Sequence, residues 1–199
     1  MAKRARLGVL ISGRGSNMLA LAEAAQAPDC PYVIALVASN DPDAAGLATA
    51  RAMGIPTWAH SHKGLKRAEF DALVDAALRD ADVEYVALAG YMRLLSGGFV
   101  GGWAGRMLNI HPSLLPKYKG LDTHARAIAA GDAVHGVSIH IVTAELDDGP
   151  VLAQAEIPIL PGDTPESLAA RLLIEEHRLY PATLAEFVRN AQSRSRPGA

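Results

Sequence analysis

Asn109 and His111 stand two residues apart in Asn109-Ile110-His111-Pro112-Ser113-Leu114-Leu115-Pro116. In extended backbone, residues at i and i+2 project to the same side, so an amide and an imidazole would sit together. That joins a neutral hydrogen-bond donor to a group that titrates near neutrality. The apolar run from Met107 to Ile110 reads as a short buried strand, and the two prolines stop a helix or ladder from continuing. The expected result is a rigid loop at a strand's C-terminal end, where open α/β sheets bind ligands. Asn and His also cap ordinary turns, so the pair alone leaves catalysis and structure both open. Asp147 lies in the turn Leu146-Asp147-Asp148-Gly149-Pro150, where aspartate is common. Brought beside His111, it would raise the imidazole pKa and hold the ring's orientation.

Gly13-Arg14-Gly15-Ser16-Asn17 separates an apolar strand from a helical pattern. Backbone N–H groups crowded by glycines at a helix's positive end can cradle a phosphate, with Ser16 and Asn17 adding donors. The other reading is a tight strand–helix turn with Ser16 as N-cap. The dinucleotide fingerprint would need glycine at Met18, and a P-loop would need Gly-Lys-Ser/Thr; neither is present. Glu176 follows Leu172 by four residues and Leu173 by three, on the apolar face that Leu179 continues. A carboxylate there needs a partner such as a substrate amine, unless it reaches out at the stripe's edge or pairs with an arginine. The seven histidines show no metal-ligand spacing, so no metal is expected. His140 shares a strand face with Ser138 and Val142, either lining a cleft or as a satisfied core residue. Ser113 lacks a nucleophile-elbow context and reads as a loop hydrogen-bonder. Lys117, Lys119, Lys66 and Arg67 read as solvated, with Arg67 opening a helix near the cleft.

The elements that must position these groups follow a βα alternation. Leu7 to Ile11 is a buried-strand run, followed by Met18, Leu19, Leu21, Ala22 and Ala25 at helical spacing. Strands are expected at Tyr32–Ala38, Thr57–Trp58 and Tyr85–Ala89, with a helix from Asp43 to Met53. Phe70, Leu73, Val74, Ala77 and Leu78 form one helical stripe. Between Ser96 and Trp103, glycines weaken any helix, though Phe99, Val100 and Trp103 can anchor a short one. Thr123 to Ala130 reads as helix, ending at Gly131. Val134–Thr143 and Val151–Leu160 are β-rich and joined by a short turn, which predicts antiparallel pairing at the sheet's far edge. A helix from Pro165, kinked at Pro181, closes the chain, with Ser193–Ala199 frayed. The expected fold is α/β: a doubly wound sheet in one domain spanning residues 1–199.

Composition narrows the function classes. The chain has 199 residues, 50% hydrophobic and 20% charged, with a formal net charge of -2. That balance offers no general attraction to nucleic acid or acidic membranes. Cys30 is the one cysteine and suits a reducing compartment. No segment reaches the ~18 apolar residues of a membrane span. The basic N-terminus lacks a signal-peptide core, so a cytoplasmic location is expected.

These residues resemble the folate-dependent phosphoribosylglycinamide formyltransferases (glycinamide ribonucleotide transformylases), from Gly8 to about Pro181. The resemblance rests on Ile11–Asn17, Leu88–Leu95, Asn109–Tyr118, Glu145–Pro150 and Glu176–Pro181. It implies a Rossmann-like three-layer fold with a mixed seven-stranded sheet and an antiparallel strand near the C-terminal end. It implies formyl transfer from 10-formyltetrahydrofolate to the glycine amine of glycinamide ribonucleotide. Gly15, Ser16 and Asn17 would then hold the phosphate, and Glu176 would meet the glycinamide end. Arg67 would approach the folate's glutamate tail. Met92, Arg93, Leu94, Leu95, Asn109, Thr143, Ala144, Glu145, Leu146 and Asp147 would line the formyl-folate pocket. Asn109, His111 and Asp147 match the family's catalytic trio, with small-molecule partners, no metal, no nucleic acid or membrane partner, and a monomer or homodimer. Asp122 stands where some members carry histidine, and Leu173 where a polar group contacts the nucleotide.

In the implied mechanism, Asn109 and protonated His111 meet the negative charge developing on the formyl oxygen. A methionyl-tRNA formyltransferase shares this loop but adds an RNA-engaging domain, which the slight negative charge and the stop at Ala199 do not favour. A formyltetrahydrofolate hydrolase would release formate without an acceptor. A Rossmann-type nucleotide-binding module without formyl chemistry is the reading from another class.

Overall fold

Leu7, Val9, Leu10 and Ile11 are wholly buried, as a strand covered on both faces must be. A computed structural model describing residues 3–194 sets this run, β1 (Ala5–Ile11), inside a seven-stranded sheet. The other strands are β2 (Tyr32–Ser39), β3 (Thr57–Ala59), β4 (Tyr85–Leu88), β5 (Met107–His111), β6 (Val134–Ile141) and β7 (Val151–Pro158). Their order is β3-β2-β1-β4-β5-β6-β7. The pairs from β3 to β5 are parallel. β6 runs antiparallel to both β5 and β7. The helices are α1 (Ser16–Ala24), α2 (Ala45–Ala52), α3 (Arg67–Asp80), α4 (Gly97–Gly102), α5 (Thr123–Ala129) and α6 (Pro165–Arg194).

Alternation along β1 divides the interior into two layers. Leu7, Val9 and Ile11 join one core with Met18 and Leu21 of α1, Leu47 of α2 and Leu172, Tyr180 and Leu184 of α6. Leu10 faces the other, with Phe70, Val74 and Leu78 of α3 and Phe99 and Val100 of α4. The sheet therefore lies between two helical layers, the three-layer α/β arrangement expected. Among the described residues, no helix is long and apolar enough to cross a membrane.

Local departures from the sequence expectations have identifiable causes. α2 starts at Ala45 rather than Asp43, because Asp43 N–H is bonded to Asp41 Oδ1 (3.0 Å) in a side-chain turn that competes with helix. α4 forms despite its four glycines. Ser96 Oγ accepts from Phe99 N at its start, and Phe99, Val100 and Trp103 are buried. Each such burial contributes roughly 1.5–3 kcal/mol, against about 1 kcal/mol lost per glycine. Pro181 sits inside α6 without ending it. Ser193 and Arg194, expected to fray, belong to that helix; residues 195–199 lie outside the described residues. β5 extends through His111, so both Asn109 and His111 are strand residues rather than loop residues.

Candidate active site

The strand order reverses at β1: β2 and β3 build outward on one side, and β4 and β5 on the other. Ligands of doubly wound sheets bind in the crevice at such a switch point, beyond the strand C-termini. The loops leaving β1 and β4 meet there. Ser12 N–H donates to Gly90 O (3.1 Å), and Met92 N–H donates to Ser12 Oγ (2.8 Å). Gly15 is the N-cap of α1 with φ 73°, and no side chain caps that end. The Ser16 N-cap alternative is therefore set aside: Ser16 is the first helical residue, and the N-cap position, Gly15, has no side chain to offer the terminal N–H groups. A left-handed φ at this point suits glycine, and the first N–H groups of α1 have no partner within the helix itself.

α6 brings Glu176 to the same end. The Tyr180 hydroxyl, fully buried, lies 3.0 Å from Leu88 O and 3.1 Å from Leu108 O, pinning the helix across β4 and β5. One turn earlier, Glu176 Oε2 accepts from Asn17 Nδ2 at 2.7 Å. Burial raises the Glu176 carboxyl above its ordinary pKa, with the Asn17 hydrogen bond opposing. Asn17 Oδ1 is buried and has no hydrogen-bond partner among the described residues. Glu176 thus has a partner, Asn17, which the helical stripe could not reveal.

Asn109 and His111 project from β5 away from Leu108 and Ile110, which enter the α1–α6 core. β6 supplies the facing residues: Asn109 pairs with His140, and His111 with Ser138. His140 is 2% exposed. Its Nδ1 lies 3.1 Å from Ile141 O, which fixes a proton on that nitrogen. In the neutral ring, Nε2 is then an acceptor for Asn109 Nδ2 at 3.2 Å. This contact sets which way the Asn109 amide points. His140 is the functional candidate that sequence reasoning left undecided, and only its alternation with Ser138 hinted at it.

Asp147 reaches this face from the turn after β6. Its Oδ2 lies 3.4 Å from His111 Nδ1 and 3.0 Å from Gly120 N; its Oδ1 lies 3.6 Å from His140 Nε2 and 3.5 Å from Asn109 Nδ2. Burial alone would push this carboxyl up. The contacts with His140 and the Gly120 N–H, with the charge of His111, outweigh it and hold the pKa below the ordinary value. His111 Nε2 lies 2.9 Å from Tyr118 O, an obligate acceptor, so Nε2 carries hydrogen and Nδ1 is left facing the carboxylate.

The Pro-bounded loop is tied from several sides. Ser113 Oγ donates to Lys117 O (2.6 Å), as its reading as a loop hydrogen-bonder anticipates, and Ser138 Oγ donates to Ser113 O (2.6 Å). Lys117 and Lys119 are not simply solvated. Lys117 pairs with Asp132 (2.9 Å), and Lys119 pairs with Asp148. Arg67 is the exposed first residue of α3, as expected, with no ion pair among the described residues. Arg93 lies with its guanidinium 4.8 Å from the Phe70 ring centroid, and Leu95 packs on the α3–α4 core. Met92, Leu94 and Leu146 are exposed, at 71%, 52% and 54%, as are Ala144 and Glu145, whereas Thr143 is half-buried.

Beneath the loop, His124 and His135 meet edge to face, 4.9 Å between centroids. Burial lowers both pKa values, His135 to about 4; the His111 imidazole also opposes a charge on either ring, and His124 opposes one on His135. A histidine depressed in the folded state contributes stability above its unfolded pKa of about 6.5 and loses it as pH falls toward the folded value. We expect the melting temperature to fall between pH 6.5 and 4, a loss on the order of 2–3 kcal/mol. His135→Asn, which cannot take up that proton, flattens this acid limb in a calorimetric pH series; an unchanged limb assigns it elsewhere.

Residues 5–184 match the family model described as formyl transferase. Phosphoribosylglycinamide formyltransferase of Escherichia coli (strain K12) is 44% identical over 182 residues, 90% of this chain and 85% of that protein. The human trifunctional purine biosynthetic protein adenosine-3 is 44% identical over 92% of this chain, and the chain spans 18% of that protein's length. The crystal structure of phosphoribosylglycinamide formyltransferase from Brucella melitensis aligns with a TM-score of 0.89 at 50% identity, covering 94% of this chain and 96% of that one. Glycinamide ribonucleotide transformylase 1 from Symbiobacterium toebii aligns with a TM-score of 0.92 at 40% identity, covering 96% and 90%. With a match over nearly its whole described length and a shared fold, the chain belongs to the formyl transferase family.

Proposed function

We propose that the chain transfers the formyl group of 10-formyltetrahydrofolate to the glycine amine of glycinamide ribonucleotide, a step of purine biosynthesis, without a metal. The observation that carries this reading is the joining of two half-sites at one sheet end. The Gly15–Asn17 turn follows β1, and Asn109 and His111 end β5, with β4 alone between them. Two strand spacings are roughly 10 Å, a span suited to a phosphoribosyl group carrying an amine at its far end. The name shared by several relatives favours the same acceptor.

Gly15 and Ser16 offer the phosphate their helix-terminal N–H groups, and Asn17 and Glu176 flank the sugar and glycinamide. Exposed Met92, Leu94 and Leu146 beside a buried polar cluster fit a flat heteroaromatic donor that stacks on one side and hydrogen-bonds on another. Arg67, Arg93, Leu95, Thr143, Ala144 and Glu145 extend that donor surface. When the amine attacks the formyl carbon, the oxygen gains negative charge. Asn109 donates to it from an amide oriented by His140, and His111 donates from Nδ1, its other N–H being held by Tyr118 O. Asp147 supplies the negative charge beside Nδ1 when the ring carries its second proton. The attacking nitrogen must lose a proton and the folate nitrogen must gain one. The single buried cysteine, Cys30, is in keeping with a reducing cytoplasm.

A coupled assay with both substrates tests the reading. Loss of formyl-folate only when the ribonucleotide is present is the expected result. Formate release without the ribonucleotide would indicate hydrolysis instead.

A further inference from the structure

Asp132, the ion-pair partner of Lys117, lies just past α5, and two of its contacts lead directly to His111. Its Oδ2 accepts from the Tyr118 hydroxyl at 2.7 Å, and Lys117 Nζ sits 3.0 Å from Oδ1 and 2.9 Å from Oδ2. Lys117 and Tyr118 begin a strap, residues 117–122, that crosses the catalytic pair. The strap touches both members: Tyr118 O accepts from His111 Nε2 (2.9 Å), and Gly120 N–H donates to Asp147 Oδ2 (3.0 Å). Tyr118 has φ 54° and Asp122 φ 58°, a left-handed region that costs non-glycine residues about 1–2 kcal/mol each. Such a backbone persists only where its surroundings over-determine it.

The restraints on Tyr118 are specific. Its ring has the Arg126 guanidinium 5.2 Å from its centroid, and Arg126 Nη1 donates to Lys119 O at 2.7 Å. Its hydroxyl is bonded to Asp132. The Asp132 carboxyl is held below its ordinary pKa by the hydrogen bonds from Tyr118 and Lys117, so it is an ionised acceptor at neutral pH. One residue therefore grips the strap by a side chain at 118 and another at 117, while the carbonyl of that same residue 118 fixes the His111 ring.

We propose that Asp132 is a positioning residue for formyl transfer: by anchoring Tyr118 and Lys117 it holds the Tyr118 carbonyl on His111 Nε2, which commits Nδ1 to the reacting centre. Asp132 touches no substrate in this scheme. It acts through the tautomer and angle of His111, so its loss lowers turnover and leaves substrate binding alone. Productive geometry of a catalytic side chain is needed to within about 0.5 Å, which a strap free at one end does not maintain. This inference rests on the proposed formyl transfer.

Steady-state kinetics of Asp132→Ala, Tyr118→Phe, the double variant and Asp132→Asn provide the test. Both single variants should lose on the order of 10-fold in kcat with KM for both substrates within about two-fold, and the double variant should lose no more than either, because the two residues act as one unit. Asp132→Asn keeps an acceptor for the Tyr118 hydroxyl and should recover most of the loss. Nitrogen NMR of the His111 ring should show the Nε2–H tautomer in the wild type and a mixture of tautomers in Asp132→Ala. Active wild-type enzyme with unchanged kcat in both single variants, or additive losses, would overturn the role of Asp132. A wild type that does not formylate the ribonucleotide at all would instead remove the proposed function.

Discussion

His111→Ala should lower turnover by ~10²–10⁴-fold while glycinamide ribonucleotide still binds. The size follows from what the ring does. It is 5% exposed, its Nε2 is committed to Tyr118 O, and its Nδ1 is the donor toward the reacting centre once the ring carries its second proton. Alanine removes that donor and leaves the Tyr118 carbonyl and the Asp147 carboxylate each short of one partner. In the proposed reading the ribonucleotide's phosphate binds a strand pair away, at the N-terminus of α1, which this substitution does not touch. Calorimetric titration with the ribonucleotide should thus give an affinity near wild type, alongside the collapse of kcat. Turnover close to wild type would take His111 out of the mechanism.

The split between those two measurements depends on the fold, and much of that fold was legible in local pattern. Runs such as Leu7–Ile11 are apolar on every residue because both faces are covered, so a doubly wound sheet followed from them. The short turn before Val151 forced antiparallel pairing. What local pattern could not supply was strand order and the exact extent of elements. That β4 alone separates β1 from β5 is a tertiary fact, and it sets the distance between the two half-sites. The helix at 97–102 was ambiguous because its propensity opposes its burial, and only packing around Phe99 and Trp103 decides between them. Asp43 was expected inside α2 because its aspartate pattern gives no sign that Asp41 will claim its N–H.

The site was legible to a similar depth. Asn109 and His111 could be paired from i, i+2 geometry, since that needs only an extended backbone. His140 could not, because its place opposite Asn109 depends on the register of β6 against β5, and a slip of one residue would turn it into the other core. Lys117 looked solvated because its partner, Asp132, is fifteen positions away and beyond a helix. The backbone carbonyl of Tyr118 carries no sequence signal at all. The largest part of the functional reading therefore came from family resemblance, and the physical chemistry came from register.

Asp147→Asn should cost turnover on the order of 10²–10³-fold, with the ribonucleotide KM little changed. The carboxylate accepts from Gly120 N–H, lies 3.5 Å from Asn109 Nδ2, and faces His111 Nδ1 and His140 Nε2. An amide of the same shape turns one of its two oxygens into an NH2 group. Whichever way it is oriented, a donor then confronts a donor, either at Gly120, which loosens the strap, or at Asn109, which misdirects the oxyanion donor. The charge opposite His111 Nδ1 is lost in both cases. The pH dependence separates these losses from simple titration. Because the Asp147 pKa lies below the ordinary carboxylate value, its contribution is present above that ordinary value and is lost only as pH falls through the folded one. Between pH 5 and 8 the wild-type side chain stays ionised, so Asp147→Asn should lower kcat by a similar factor across that whole window. A deficit that vanished at either end of it would mean that Asp147 acts by its own titration. Combined with His111→Ala, the Asn variant should add little further loss, since the carboxylate acts largely through the ring beside it. Full additivity of the two would assign Asp147 to a step that His111 does not share.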